Sequence, residues 1–210
     1  MEPKQLFKQV ASLVALALVF VAVSYAAQHY KTELAGIVES GGIAGIAGFI
    51  LLTAVFVVFI IPLDIAFLIP IGANVWGPVP TALMSITGWT LGAAVAFAIA
   101  RRFGVGVVEK LIGLERIHAV ERRIPKRNLF GSVILLRMLV SVDILSYALG
   151  LFSTMPWGQY VLATMIGVAP FGFYFAYTGT LPFWYQIAAI AVAVILATVV
   201  LVKYGVQREP

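Results

Sequence analysis

The chain has 210 residues, of which 62% are hydrophobic and 11% charged, with a formal net charge of +5. Soluble domains carry about 25% charged residues, and the deficit runs along the whole chain, so we predict an all-α integral membrane protein. The sequence has no cysteine, which excludes disulfides, thiolate metal sites and cysteine catalysis. In so apolar a chain the positive charge indicates cytoplasmic loops and anionic lipid, and we expect no nucleic acid partner.

Apolar regions follow one another in the order 10–27, 43–76, 80–100, 129–152, 159–179 and 186–203. A spanning helix needs about 20 apolar residues, so four of these regions, all but 43–76 and 129–152, are predicted to be transmembrane helices. The first of them also resembles a signal peptide. It is longer than the usual cleavable apolar segment of about 7–15 residues, which favours an uncleaved helix.

Region 43–76 is too long for one span and reads FIIPLDIAFLIPIGANVWG toward its end. Pro62 and Pro70 are predicted to break it, with Gly72 in the same break, because proline removes a helix hydrogen bond. Region 129–152 has the length of one span but carries Arg137 and Asp143 in its middle.

The positions of the basic residues choose between topologies. Segment 101–127 holds eight basic and three acidic residues, and the positive-inside rule places it in the cytoplasm together with both termini. All of these segments lie in the cytoplasm if 43–76 and 129–152 each enter and leave the membrane on the same side, as two re-entrant hairpins of opposite orientation. Residues 105–124 then form a cytoplasmic amphipathic helix. His118 lies on this helix as an interfacial residue, and two histidines in the chain predict no metal site.

The two halves of the chain also resemble each other at an offset of 79 residues. Asp64 then falls on Asp143, and Gly88 falls on Gly167. Each half reads as an apolar arm, an acid at a turn, an apolar return, a Trp/Pro/Gly break and a span. Broken helices in an inverted repeat are typical of secondary transporters.

Three charged residues, Asp64, Arg137 and Asp143, are predicted at membrane depth, where a charge costs about 2.5–3.5 kcal/mol on insertion scales. They either form a structural ion pair or line a polar site in which the acids take up protons and Arg137 binds phosphate. Arg101 and Arg102 end the span 80–100, as interfacial anchors or as headgroup contacts.

Small residues are predicted to let helices approach closely. Gly88 and Gly92 begin a stripe at spacing four in GWTLGAAVAFAIA. Gly150 and Gly167 are assigned the same packing role in the second half.

Enzyme motifs are missing from the sequence: it has no HExxH, GxSxG or Walker motif. An intramembrane aspartyl protease built on Asp64 and Asp143 is the enzymatic alternative, but the GxGD-type context is absent. We therefore expect no enzyme and no cofactor.

Three stretches resemble the DedA family, also called the SNARE-associated or VTT-domain family, in its TVP38-like branch. They are the hairpin leading to IGANVWGPVPTAL, the stretch GWTLGAAVAFAIARRFG, and VSVDILSYALGLFSTMPWGQYVLATMIGVAPFGFYFAYTG, and together they span about residues 40–180. The family usually has a proline after the arginine of its second hairpin, whereas RMLVSV has none.

The resemblance implies a lipid scramblase or flippase that moves phospholipid or polyprenyl-phosphate headgroups, in some members linked to the proton-motive force. It also implies functional roles for Asp64, Arg137, Asp143 and Arg101, with Arg102 as a competing choice. We expect a prokaryotic plasma membrane, partners among anionic or phosphate-bearing lipids and protons, and leave a homo-oligomer open. The alternatives are a proton-coupled transporter of a small ion or solute, and a structural assembly factor.

Overall fold

The computed structural model describes residues 3–61, 64–106, 108, 129–139 and 142–188, and within those ranges it contains helices and no strands. A π-helical turn, Asp64–Leu68, precedes α3, and residues 183–188 are also helical. The predicted all-helical class is confirmed. The α-helices are α1 (Pro3–His29), α2 (Lys31–Val58), α3 (Ile69–Val75), α4 (Pro78–Phe103), α5 (Leu129–Leu139), α6 (Val142–Phe152) and α7 (Trp157–Thr180).

Two helices, α4 and α7, are long and apolar enough to cross a membrane, and Val14–His29 and Gly42–Val58 are shorter apolar helices. The predicted spans 80–100 and 159–179 lie within α4 and α7. Pro62, most of the predicted helix 105–124 and most of the predicted span 186–203 lie outside the described residues.

The chain reverses direction between α2 and α3. Gly42 interrupts α2 with φ of 47° and ψ of −129°, one residue before the predicted start of this apolar region. Just after α2 ends, Ile60 has φ of 59°, a strained conformation for a β-branched side chain. The Phe49 and Trp76 rings then meet edge to face with centroids 5.7 Å apart, so the two arms return to the same level.

The structure differs from the prediction at Pro70 and Gly72, which lie inside α3 rather than in a break. Pro70 occupies the first turn of α3, where a missing N–H costs no helix hydrogen bond. A Cβ on Gly72 would lie 3.0 Å from atoms of both Phe49 and Thr81. Gly72 therefore lets α3 pack closely against α2 and α4.

Helix α6, in the second half of the chain, packs against helices of the first half. The Tyr147 hydroxyl of α6 donates a 2.7 Å hydrogen bond to the Val58 carbonyl at the end of α2. A Cβ on Gly150 would lie 2.6 Å from both the Phe97 carbonyl and the Ala100 Cβ. The close approach of α6 to α4 thus depends on this glycine.

The two long helices run antiparallel in the centre. The Phe97 ring stacks on Tyr160 with centroids 4.0 Å apart, while Gly172 lies against Ile86 and the Ala82 carbonyl. Each long helix also packs against an earlier helix from the same half of the chain. Gly88 of α4 lies against Thr53 of α2, and Gly167 of α7 lies against Arg137 of α5.

One end of the bundle is fastened through the Gly179 carbonyl near the end of α7. This oxygen accepts hydrogen bonds from Asn74 Nδ2 of α3 at 3.1 Å and from Gln28 Nε2 of α1 at 3.3 Å. Asn74 Nδ2 also donates to the Pro70 carbonyl at 2.9 Å. The buried amide therefore holds α3 against α7.

Candidate functional site: a buried arginine among hydroxyl groups

Arg137 lies in the last turn of α5 and is only 2% exposed. Its Nη1 donates a hydrogen bond to Ser146 Oγ at 3.1 Å. Its Nη2 donates to the Tyr160 hydroxyl at 2.8 Å and to Thr164 Oγ1 at 2.9 Å. A guanidinium can only donate, so these three hydroxyl oxygens act as acceptors.

The hydroxyls come from two helices that pack on α5. Tyr160 and Thr164 are one turn apart on α7, so they share a face, and Gly167 continues that face. A Cβ on Gly167 would lie 2.7 Å from the Arg137 Cβ. The missing side chain therefore brings α5 close enough for the guanidinium to reach both hydroxyls.

Tyr160 is also held by contacts with α4. Its hydroxyl donates a 2.9 Å hydrogen bond to the Ala93 carbonyl of α4. Its ring is fully buried and stacks on Phe97 at an interplanar angle of 18°. Trp157 meets the same Phe97 ring edge to face, with centroids 5.7 Å apart.

The depth of the site along α7 follows from the exposed aromatic residues. Trp157 and Tyr177 are 48% and 49% exposed, and twenty residues of helix separate them by about 30 Å, the thickness of a hydrocarbon core. Such residues are typical of the two membrane interfaces. Gly167 lies halfway between them, beside the Arg137 Cβ, so the arginine side chain leaves α5 beside the middle of α7.

Arg101 and Arg102 end α4 and are both exposed, but their surroundings differ. Arg101 Nη2 donates to the Ser153 carbonyl at 2.7 Å, and Nη1 donates to the Met155 carbonyl at 3.0 Å. Its guanidinium carbon lies 4.3 Å from the centroid of the Phe97 ring. Arg101 thus ties the end of α4 to the segment between α6 and α7, close to Tyr160.

We expect Arg101→Ala to lower the free energy of unfolding by about 1–2 kcal/mol, because it removes two hydrogen bonds and a cation–π contact at a partly exposed position. Arg102→Ala is the matched control and should change it by less than about 0.5 kcal/mol. Thermal unfolding of the two purified variants measures the difference. Equal losses in both variants would contradict a specific role for Arg101.

Each of the two predicted acids lies at the start of a helical segment. Asp64 begins the π-helical turn, and Asp143 is the second residue of α6. Their side chains lie outside the described part of the structure. Among the described residues, no group of three or more His, Asp or Glu side chains is placed to hold a metal ion.

Sequence reasoning singled out Arg137 but missed Ser146, Tyr160 and Thr164. A signal was present, since Tyr160 and Thr164 are polar residues at helical spacing within an apolar span, with Gly167 following. The partnership with Arg137 was not readable because it joins residues 23 and 27 positions apart across a helix boundary.

The fold and the site define a class: helical membrane proteins with broken apolar helices and an arginine buried between them. The VTT domain family model matches residues 40–181, about two thirds of the chain. The chain belongs to the VTT-domain family, the DedA or SNARE-associated proteins, as its three resembling stretches predicted. The match does not specify the TVP38-like branch, which stays a prediction. No curated protein and no solved structure matches the chain.

Proposed function

We propose that this protein is a membrane lipid transporter, a scramblase or flippase that carries phosphate-bearing headgroups across the bilayer. The observation that carries the proposal is the guanidinium of Arg137, buried beside the middle of α7 and within hydrogen-bond distance of three hydroxyl groups. Arginine presents planar paired donors that suit phosphate oxygens. Buried charge at this depth is retained chiefly where a substrate or ion passes.

In this proposal residues 43–76 and 129–152 are two re-entrant hairpins of opposite orientation in an inverted repeat. Several observations support it. The chain reverses before Asp64, α4 and α7 start 79 residues apart at Pro78 and Trp157, and the two long helices are antiparallel. Non-helical backbone at membrane depth is tolerated only beside protein or water, so the reversals would line a polar path.

The headgroup would pass along this path while its acyl chains stay in the surrounding lipid. Arg137 would bind the phosphate, and Asp64 and Asp143 would gate the path or carry protons. The positive-inside rule would place both termini, Arg101 and Arg102 on the cytoplasmic side of a plasma membrane. The protein would then act on lipids and protons, without a cofactor and without enzymatic chemistry.

A proton-coupled transporter of a small ion or solute is the second candidate, favoured by a different observation. Thr53 of α2 and Thr81 and Ser85 of α4 are fully buried, and their hydroxyls make no hydrogen bond among the described residues. An unsatisfied buried hydroxyl costs about 1–3 kcal/mol, which is offset where water or an ion passes. These three hydroxyl groups lie where α4 faces α2 and α3.

Transport of fluorescent phospholipid in proteoliposomes tests the lipid assignment. We expect the wild type to move lipid between leaflets, and Asp64→Asn and Asp143→Asn to slow this movement at least tenfold while remaining folded. Glu33→Gln, which neutralises an exposed acid of α2, is the matched control and should behave as the wild type.

Two other outcomes would contradict the assignment. Absence of movement by the wild type across several headgroups, with and without a pH gradient, would overturn lipid transport and favour the solute carrier. Variants that lose stability, in a protein that never moves lipid, would instead indicate a structural assembly factor.

A further inference from the structure

The hydrogen bonds of Arg137 Nη2 have a consequence for how an anion reaches this side chain. Nη2 carries two hydrogens, and the structure directs one to the Tyr160 hydroxyl and the other to Thr164 Oγ1. A phosphate that binds arginine through two parallel hydrogen bonds needs hydrogens on two guanidinium nitrogens at once. To use the edge formed by Nη1 and Nη2, it must displace one of these hydroxyls.

Neither hydroxyl is free to follow the guanidinium when it moves. Tyr160 is pinned by its hydrogen bond to the Ala93 carbonyl and by the stack on Phe97. Arg101 lies over that same Phe97 ring and is itself bonded to the Ser153 and Met155 carbonyls. Thr164 is fully buried on α7, so its hydroxyl can turn but cannot travel with the guanidinium.

We propose that Tyr160 and Thr164 form a latch on Arg137: they hold the guanidinium in its resting position and compete with a phosphate group for Nη2. The two are positioning residues that act through Arg137. The latch rests on the proposed function for the class of ligand, a phosphate group. The latch therefore predicts that removing a polar group from the site strengthens the binding of phosphate.

Tyr160→Phe keeps the ring and its stack on Phe97 while it removes the oxygen that accepts from Nη2. Thr164→Val removes the second acceptor with little change in volume. A hydrogen bond to a charged group that no longer has to be broken favours the bound state. We expect each substitution to strengthen phosphate binding about tenfold, which corresponds to ~1.4 kcal/mol.

The experiment measures thermal unfolding of the purified protein against increasing inorganic phosphate at constant ionic strength, and separately against a short-chain phosphatidic acid. The first probe reports free phosphate and the second a lipid headgroup. Tyr174→Phe and Thr178→Val are matched controls because they make the same two changes on the same helix away from Arg137. Tyr174 is exposed, and the Thr178 hydroxyl donates to the Tyr174 carbonyl.

The expected result is half-maximal stabilisation at about one tenth of the wild-type phosphate concentration in Tyr160→Phe and in Thr164→Val. The controls should match the wild type, and the gain should vanish when Arg137→Ala is added. If Tyr160→Phe does not fold, Thr164→Val still tests the latch. Binding that is unchanged, weakened or undetectable in the folded latch variants overturns it.

This result separates the latch from the proposed function. Tighter phosphate binding in both variants, in a protein that moves no lipid in vesicles, keeps the latch and overturns lipid transport. Lipid movement that needs Arg137, with no gain in phosphate binding in either variant, keeps lipid transport and overturns the latch.

Discussion

Arg137→Ala is expected to lower the rate of lipid movement in proteoliposomes by at least about a hundredfold, since the phosphate would lose two charge-assisted hydrogen bonds. Arg137→Lys should recover only part of this loss. It keeps the positive charge but loses the planar pair of donors. The measurement is the initial rate of lipid exchange between leaflets at equal protein content.

The stability of the same variants separates a functional arginine from a structural one. Arg137→Ala leaves three hydroxyl groups that must find other partners. The Ser146 and Thr164 hydroxyls can turn to carbonyls of their own helices, and Tyr160 keeps its bond to the Ala93 carbonyl. We therefore expect Arg137→Ala to stay folded, with a loss in the free energy of unfolding of no more than about 1–3 kcal/mol. An inactive variant that also unfolds well below the wild type would indicate a structural ion pair.

Gly92→Ala is expected to lower the free energy of unfolding by about 2 kcal/mol, within the range for overpacked sites. The new Cβ would lie 2.5 Å from the Ala54 carbonyl oxygen and 2.7 Å from the Val57 Cβ. A backbone carbonyl cannot swing aside, so α2 would have to move away from α4. The gain in helix propensity, up to about 1 kcal/mol, is too small to offset this cost. Thermal or denaturant unfolding of the purified variant measures it.

Gly48→Ala is the matched control, because a Cβ at this position of α2 would meet no atom within 4 Å. This substitution should leave stability unchanged or raise it by up to about 1 kcal/mol through helix propensity. The two changes are chemically identical, and only the contact with the neighbouring helix differs. Similar unfolding temperatures for both variants would show that α2 and α4 are not packed as closely as the structure has them.

Part of the candidate site was readable in the sequence. Arg137 stood out because a charge inside an apolar region has a solvation cost that demands an explanation. Gly88 and Gly92 stood out through their spacing of four, which places them on one helix face. The long helices α4 and α7 followed from apolar length. Each of these inferences uses only residues close together along the chain.

The remainder of the site depended on contacts between distant segments. Pro70 looked like a helix breaker, yet it lies in the first turn of α3, where proline is tolerated. Tyr160 was not singled out, yet its hydroxyl joins Arg137 to the Ala93 carbonyl. Local sequence could not distinguish these alternatives, because the environment of each side chain is supplied by another helix.

By itself the sequence determined that this is a helical membrane protein with an arginine inside an apolar segment, because hydrophobic length and the cost of buried charge act locally. Only the tertiary structure decided which groups hold that arginine. Tyr160 and Thr164 meet it because Gly167 lets α5 and α7 approach closely, and Ser146 meets it from α6. Hydrogen bonds act over about 3 Å, and that proximity exists only once the helices have packed.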